Sequence, residues 1–314
     1  MSWQEQTVPI GEAEAGQRLD RLLRKLLRDL PLSAIFRHLR SGGIRVDGKK
    51  ADGSLRLVAG MTLQLRLPAE DLAGLHAAPP PPPRSGPPGA WPRELEPRIV
   101  FRDDDVLVVD KPAGLAAQPG AGLQGRNLVD WLEHQGLGAR SATFQPAPAH
   151  RLDLGTSGLI AIGLSPLGAR GLAAAFRDDQ VEKVYLAVVH GVPEPERGSI
   201  DAPLRVRDEA GPRDVKVVVD PAGQPARTDY EVMGRGPGVA LLRLVLHTGR
   251  THQIRAHLRH LGHPIVGDRR YGSSRDLGRR FLLHAAELTF PHPRTGQSQH
   301  CRSRQPRDFA AHLG

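Results

Sequence analysis

The stretch HRLDLGTSG at residues 150–158 holds one carboxylate, Asp153, with an arginine two residues before it and a turn of small residues after it. Two readings of Asp153 are open. As a cap, its side chain would accept hydrogen bonds from the amides of the Gly155–Gly158 turn. As a reacting group, a carboxylate can act as base or nucleophile, and a nearby guanidinium would hold it in place.

Four other stretches carry residues of similar potential. DVLVVDKPAGLAAQPG, 105–120, runs a strand into a turn forced by Lys111, Pro112 and Gly114. VEKVYLAVVHG, 181–191, sets Tyr185 in an apolar strand, where a tyrosine is ordinarily core. HTGRTHQIRAHLRHLGHPIVGDRRYG, 247–272, reads as a helix capped by Thr251. Ile254, Leu258 and Leu261 form its buried stripe, and Arg255 and Arg259 stand one turn apart on a basic face looking away from it. RRFLLHAAELTF, 279–290, is an apolar strand with one histidine. A metal site is the rival chemistry, since His247, His252, His257, His260 and His263 crowd one stretch. No cysteine accompanies them, no carboxylate is suitably spaced, and basic residues surround them, so no metal is expected.

The elements that must position these residues are short strands at 98–101, 105–110, 158–164, 184–191, 215–220, 226–233 and 239–247, with helical patterns at 127–136, 166–178 and 251–261. Strands arrive in runs rather than alternating with helices. The expected fold is α+β: a mixed, largely antiparallel central sheet with flanking helices over residues 94–314. A small α/β domain precedes it at 1–76, with its core at about 17–68, where leucines at helical spacing, a Pro31 break, a second helix capped by Ser33, a Gly42-Gly43 stop and two strands follow one another. Between the two, residues 77–93 include five consecutive prolines and read as a spacer.

Charge gives the small domain its purpose. The chain of 314 residues carries a formal charge of +9. Residues 17–68 hold 12 Lys or Arg and 4 Asp, a balance of 12 − 4 = +8 in one sixth of the length. Two helices and a turn leaning the same way point to nucleic-acid phosphate, with Arg18, Arg21, Arg37, Arg40, Lys49 and Lys50 as the side chains that bind it. The order helix–helix–strand with this charge resembles the S-four-like RNA-binding domain. Cys301 is the lone cysteine, which excludes an intrachain disulfide and fits a reducing compartment. No signal peptide and no membrane span are expected, and the cytoplasm is the expected location.

In order and spacing, the five stretches together resemble the RluA family of pseudouridine synthases. The carrying elements are HRLD at 150–153, TSG at 156–158, KVYLA at 183–187, GRTHQIRAHL at 249–258 and LLHA at 282–285, and the resemblance runs from about residue 95 to the end. It implies an isomerase that breaks the uracil–ribose bond in RNA, turns the base and rejoins it through carbon 5, with no cofactor and no metal. By the same resemblance Asp153 is the catalytic aspartate, Arg255 its partner, and Tyr185 the residue that stacks on the base and assists proton loss from carbon 5. Leu283 is expected to pack under the aspartate, and Arg250 and Gln253 to bind substrate. Such chemistry needs the uridine out of its stack, and Arg151 or His150 would fill the vacated space. Whether Asp153 attacks the base, attacks carbon 1′ or takes a ribose proton stays open.

The domain order is that of the family members acting on large-subunit (23S) ribosomal RNA, so that RNA, or a ribosome-assembly intermediate, is the expected partner of a monomeric protein. Transfer RNA is one alternative. A non-catalytic RNA-binding protein of ribosome assembly is another, against which the retained Asp153, Tyr185 and Arg255 argue. The chain departs from the family's usual pattern at Leu154-Gly155, at Gln118 and at Ser165, which bears on the choice of RNA more than on catalysis.

Overall fold

The computed structural model describes residues 2–11, 13–73, 75, 91–120, 127–138, 143–208 and 215–313. The first unit comprises β1 (Trp3–Pro9), α1 (Leu19–Leu26), α2 (Leu32–Ser41), β2 (Ile44–Val46), β3 (Lys49–Lys50), β4 (Thr62–Pro68) and α3 (Ala69–Leu72). Its strands form one sheet in the order β1-β4-β2-β3. The leucine stripe of α1 (Leu19, Leu22, Leu23 and Leu26) is fully buried against Ile35, Ile44 and the inward residues Leu63, Leu65 and Leu67 of β4. Each such leucine contributes about 1.5–3 kcal/mol. Arg18, Arg21, Arg37, Arg40, Lys49 and Lys50 are all exposed.

Two local expectations need correction. Ser33 does not cap α2: the helix starts at Leu32 directly behind Pro31, whose ring already fixes the entry angle, and no side chain caps it. The strand β1 is invisible to hydrophobic alternation because six of its seven residues are exposed; backbone pairing with β4 holds it at the sheet edge.

The second unit runs β5 (Arg98–Arg102), β6 (Val106–Lys111), α4 (Leu128–His134), β7 (Ala147–Pro148), β8 (Ser157–Gly163), α5 (Pro166–Arg177), β9 (Glu182–His190) and β10 (Arg197–Asp201). It continues through β11 (Leu204–Asp208), β12 (Val215–Val219), β13 (Arg227–Gly236), β14 (Val239–Leu246), α6 (Gln253–His260), β15 (Leu283–Pro291), β16 (Ser298–Arg302) and α7 (Arg307–Leu313). Ten of these strands make one sheet, ordered β10-β13-β14-β9-β15-β8-β6-β5, with β16 beside β15 and β7 beside β8. Every pairing is antiparallel except β15 with β8, so the expected mixed, largely antiparallel sheet is what forms. The β11–β12 hairpin stands as a separate two-stranded ribbon. Most of the proline-rich spacer lies outside the described residues; Trp91 at its end is buried among Leu107, Leu115 and Trp131.

This topology puts β8, β15 and β9 side by side at the sheet centre: Asp153 lies just before β8, Leu283 opens β15, Tyr185 lies within β9, and Arg255 is carried by α6. The close pairing of His284 and Ala285 with Ser157 and Gly158 needs a glycine: a Cβ on Gly158 would stand 2.3 Å from the Ala285 carbonyl oxygen, and its φ is +114°. Among the described residues no helix is long and apolar enough to cross a membrane.

Candidate active site

Asp153 sits in the turn between β7 and β8, and its two roles prove separable by atom. Its main-chain carbonyl accepts the Thr156 amide at 3.0 Å and closes the turn. Its carboxylate caps nothing and instead accepts from Arg255 Nη1 through Oδ2 at 2.9 Å. The turn is pinned from below by Lys111, fully buried at the end of β6, whose Nζ donates to the carbonyls of Pro112, Leu115 and Thr156 at 3.1, 2.8 and 2.6 Å. Burial pushes this ammonium down to about 7, against the pull of the Asp153 charge. Three carbonyl acceptors require the three N–H donors of the charged form.

Arg255 is where the sequence reading fails most plainly. It does not lie on an outward basic face: it is 7 % exposed and anchored at Nε and Nη2 by both oxygens of Asp268, at 2.6 and 2.9 Å. Its guanidinium is sandwiched between the rings of Tyr271 and Phe281, 4.7 and 4.5 Å from their centroids. Burial alone would lower its pKa, but the bonds and charge of Asp268, with those of Asp153, outweigh this and raise it. Arg259 stays exposed, as expected, and donates to the Tyr271 carbonyl at 3.1 Å.

Tyr185 lies in β9, opposite Leu244 of β14 and Ala285 of β15. Its ring belongs to the core cluster with Leu152, Ile254 and Leu283, and it shares with Asp153 and Leu283 the lining of one cavity. Burial first, and then the Asp153 charge, raise the phenol pKa, so the hydroxyl stays protonated.

The remaining expected residues divide. Arg151 and Arg250 are exposed at the rim of the Asp153 cleft, Arg250 donating to the Pro225 carbonyl at 3.1 Å. His150 is turned inward: its Nε2 accepts the Ala161 amide at 3.0 Å, its ring lies 4.5 Å from that of Phe176, and burial followed by the Lys183 charge lowers it to about 3. Of the two candidates for a vacated stack, Arg151 is therefore the one with a side chain to spare. Gln253 is corrected from a substrate contact to a brace. Its Oε1 accepts from Thr248 Oγ1 and the Arg250 amide, and its Nε2 donates to the Arg227 carbonyl and Thr228 Oγ1, which uses every site the amide has. Thr251 is likewise not the cap of α6: that position is His252, in the left-handed conformation at φ 49°.

A second cavity of about 710 Å³ opens on the other side of Asp153, lined by Gln118, Pro119, Leu154, Arg151, Arg270, Arg279 and Phe281. That is within the roughly 300–1,000 Å³ usual for ligand sites. Two departures from the family pattern, Gln118 and Leu154, meet here. Gly155 has a different cause: a Cβ there would stand 2.5 Å from both the Arg279 carbonyl oxygen and the Phe281 ring. The third departure, Ser165, caps α5 by accepting the Gly168 amide at 3.0 Å. We expect Gly155→Ala to displace Phe281 from the Arg255 guanidinium, costing about 1–3 kcal/mol in urea unfolding and lowering kcat. Unchanged stability and rate would show that Phe281 has no role in fixing Arg255.

Sequence reasoning missed Asp268, Tyr271 and Phe281. The first two lie in the quoted GDRRYG segment, where an acid after an apolar run was the available signal. The clustered histidines disperse: His257 binds Thr228 and the Ala202 carbonyl, His263 the His190 carbonyl, and His247 Asp229. Among the described residues no three His, Cys, Asp or Glu are grouped to hold a metal.

Residues 105–260 match the family model described as RNA pseudouridylate synthase. The chain is 35% identical over 302 residues to ribosomal large subunit pseudouridine synthase C of Vibrio vulnificus (strain CMCP6), covering 93% of this chain and 90% of that protein. It is 35% identical over 301 residues to the protein of the same name from Escherichia coli (strain K12), covering 92% and 90%. Among solved structures, human RNA pseudouridylate synthase domain containing 1 superposes with a TM-score of 0.58 at 27% identity, covering 69% of this chain and 87% of that one.

Proposed function

The chain belongs to the RluA family of RNA pseudouridine synthases, and we propose that its substrate is a uridine of large-subunit ribosomal RNA, with Asp153 as the reacting carboxylate. The enzyme is an isomerase. The N1–C1′ bond of uridine breaks, a C5–C1′ bond forms, carbon 5 loses its proton and N1 gains one, so nothing is consumed.

The observation that carries the catalytic reading is the carboxylate of Asp153 held by Arg255 at 2.9 Å in a cavity it shares with Tyr185. The target nucleotide leaves its stack to enter that cavity, and Arg151 at the rim takes its place among the neighbouring bases. Tyr185, a protonated phenol on an apolar wall, lies against the uracil. Leu283 closes the wall under Asp153. The exposed cations of the first unit, with Arg18, Arg21, Arg37, Arg40, Lys49 and Lys50, bind the phosphates of a larger RNA surface. The choice of RNA rests on relatives named for the large subunit that align over nine-tenths of both chains, the basic N-terminal unit included.

The test is tritium release from RNA labelled at carbon 5 of uridine, with large-subunit ribosomal RNA and transfer RNA offered separately. Release from the ribosomal RNA alone is expected. Release from transfer RNA alone would move the substrate there, and binding without release from either would make the protein a non-catalytic RNA binder.

A further inference from the structure

We propose that His252 is a positioning residue of this reaction: a neutral imidazole that carries its one proton on Nε2 and uses it to steady Oδ1 of Asp153 while Arg255 holds Oδ2. The inference rests on Asp153 being the reacting carboxylate.

The tautomer follows from hydrogen-bond accounting at a neighbour. Tyr271 is fully buried, and its hydroxyl oxygen accepts the Val217 amide of β12 at 2.9 Å. The hydroxyl's own hydrogen then needs an acceptor, and His252 Nδ1 stands 3.0 Å away. A buried O–H left without an acceptor is costly, so the phenol donates to Nδ1. Burial, reinforced by the Arg255 charge and opposed by Asp153, lowers the imidazole's basicity. A neutral ring with an accepting Nδ1 has its proton on Nε2.

Nε2 faces Asp153 Oδ1 at 3.8 Å, longer than a hydrogen bond and short enough to become one with a small closure of the cleft. His252 borders both cavities flanking Asp153, so it stands where substrate entry is felt. Its backbone carries the cost of that placement. A non-glycine residue at φ 49° and ψ 22° is strained, and the His252 side chain does not cap α6 in return. The strain aims the ring. The relay Val217–Tyr271–His252–Asp153 thereby connects the β11–β12 ribbon to the carboxylate.

The experiment compares full-length His252→Leu, His252→Gln and Tyr271→Phe in steady-state tritium release from large-subunit ribosomal RNA. Leu and Gln meet the same backbone cost at this position, so they differ in the donor that Gln restores near Nε2. We expect His252→Leu to lower kcat at least tenfold with KM within twofold, and His252→Gln to recover most of the loss. Tyr271→Phe keeps the ring over Arg255 and removes only the hydroxyl; it should lower kcat severalfold alone and have no further effect in the His252→Leu background. Wild-type kcat in His252→Leu, or Gln no better than Leu, overturns the proposal. Should both His252 variants fail to fold, Tyr271→Phe decides it: reduced kcat at constant KM supports the relay and unchanged kcat overturns it. Failure of the underlying reading is distinguishable, because Asp153→Asn would then retain the wild-type rate.

Discussion

Asp153→Asn should release no tritium from uridine-labelled RNA, a loss of at least about 10³-fold, while its affinity for the same RNA stays within a few-fold of wild type. The substitution changes one oxygen to a nitrogen and removes a charge without changing volume. The fold should tolerate it because the guanidinium beside it is not orphaned: Arg255 keeps both bonds to Asp268, at 2.6 and 2.9 Å. The amide oxygen can still accept from Nη1. RNA affinity should survive because it depends on cations elsewhere, chiefly the 12 − 4 = +8 balance of residues 17–68, and loss of a negative charge in the cleft does not oppose phosphate. The pairing of outcomes is what matters. Residual activity within tenfold of wild type would remove Asp153 from the chemistry, and equal loss of activity and binding would make it a structural residue.

How much of this could be read from sequence depended on the range of the interaction. Features set by near neighbours were legible. The leucine stripe of α1 and the in–out alternation of β4 follow from periods of 3.6 and 2. The identity of the carboxylate was legible as one of two possibilities, and the turn uses both: the Asp153 carbonyl for the backbone, the carboxylate for Arg255. Arg255 shows where local reasoning stops. Helical spacing counts an arginine as outward unless something inside compensates for its burial, and that something is Asp268, in a turn beyond the helix that shares no period with it. Gly155 failed for the same reason. Its meaning lies in Phe281, 126 residues later in sequence by 281 − 155, across the strand β15 region. The strand β1 is the opposite case: it has almost no side-chain signal to read, because backbone pairing with β4 places it and only Val8 packs against the core.

Arg255→Met is expected to destabilise the protein by about 3–5 kcal/mol in urea unfolding and to abolish activity. Methionine can fill the slot between Tyr271 and Phe281, so packing is largely preserved, and the cost comes from Asp268, which is 2 % exposed and would be left as a buried carboxylate without its cation. The companion variant separates the two duties of the guanidinium. Arg255→Met combined with Asp268→Leu removes both charges of the inner pair and should recover most of the stability, because a buried ion pair exchanged for apolar groups of similar size is close to neutral. Activity should not return, since Asp153 still lacks its anchor. Arg255→Lys provides the third point: a single ammonium keeps the charge but lacks the planar fork that bonds two carboxylates at once. It should fold close to normally and lose kcat by roughly 100-fold, the cost of a misaimed reacting group. Recovery of activity together with stability in the double variant would mean that Arg255 serves the scaffold alone. Stability unaffected by Arg255→Met would mean that Asp268 does not depend on it. The expected pattern, stability following Asp268 and rate following Asp153, assigns one side chain two functions through different nitrogens: Nε and Nη2 to the fold, Nη1 to the chemistry.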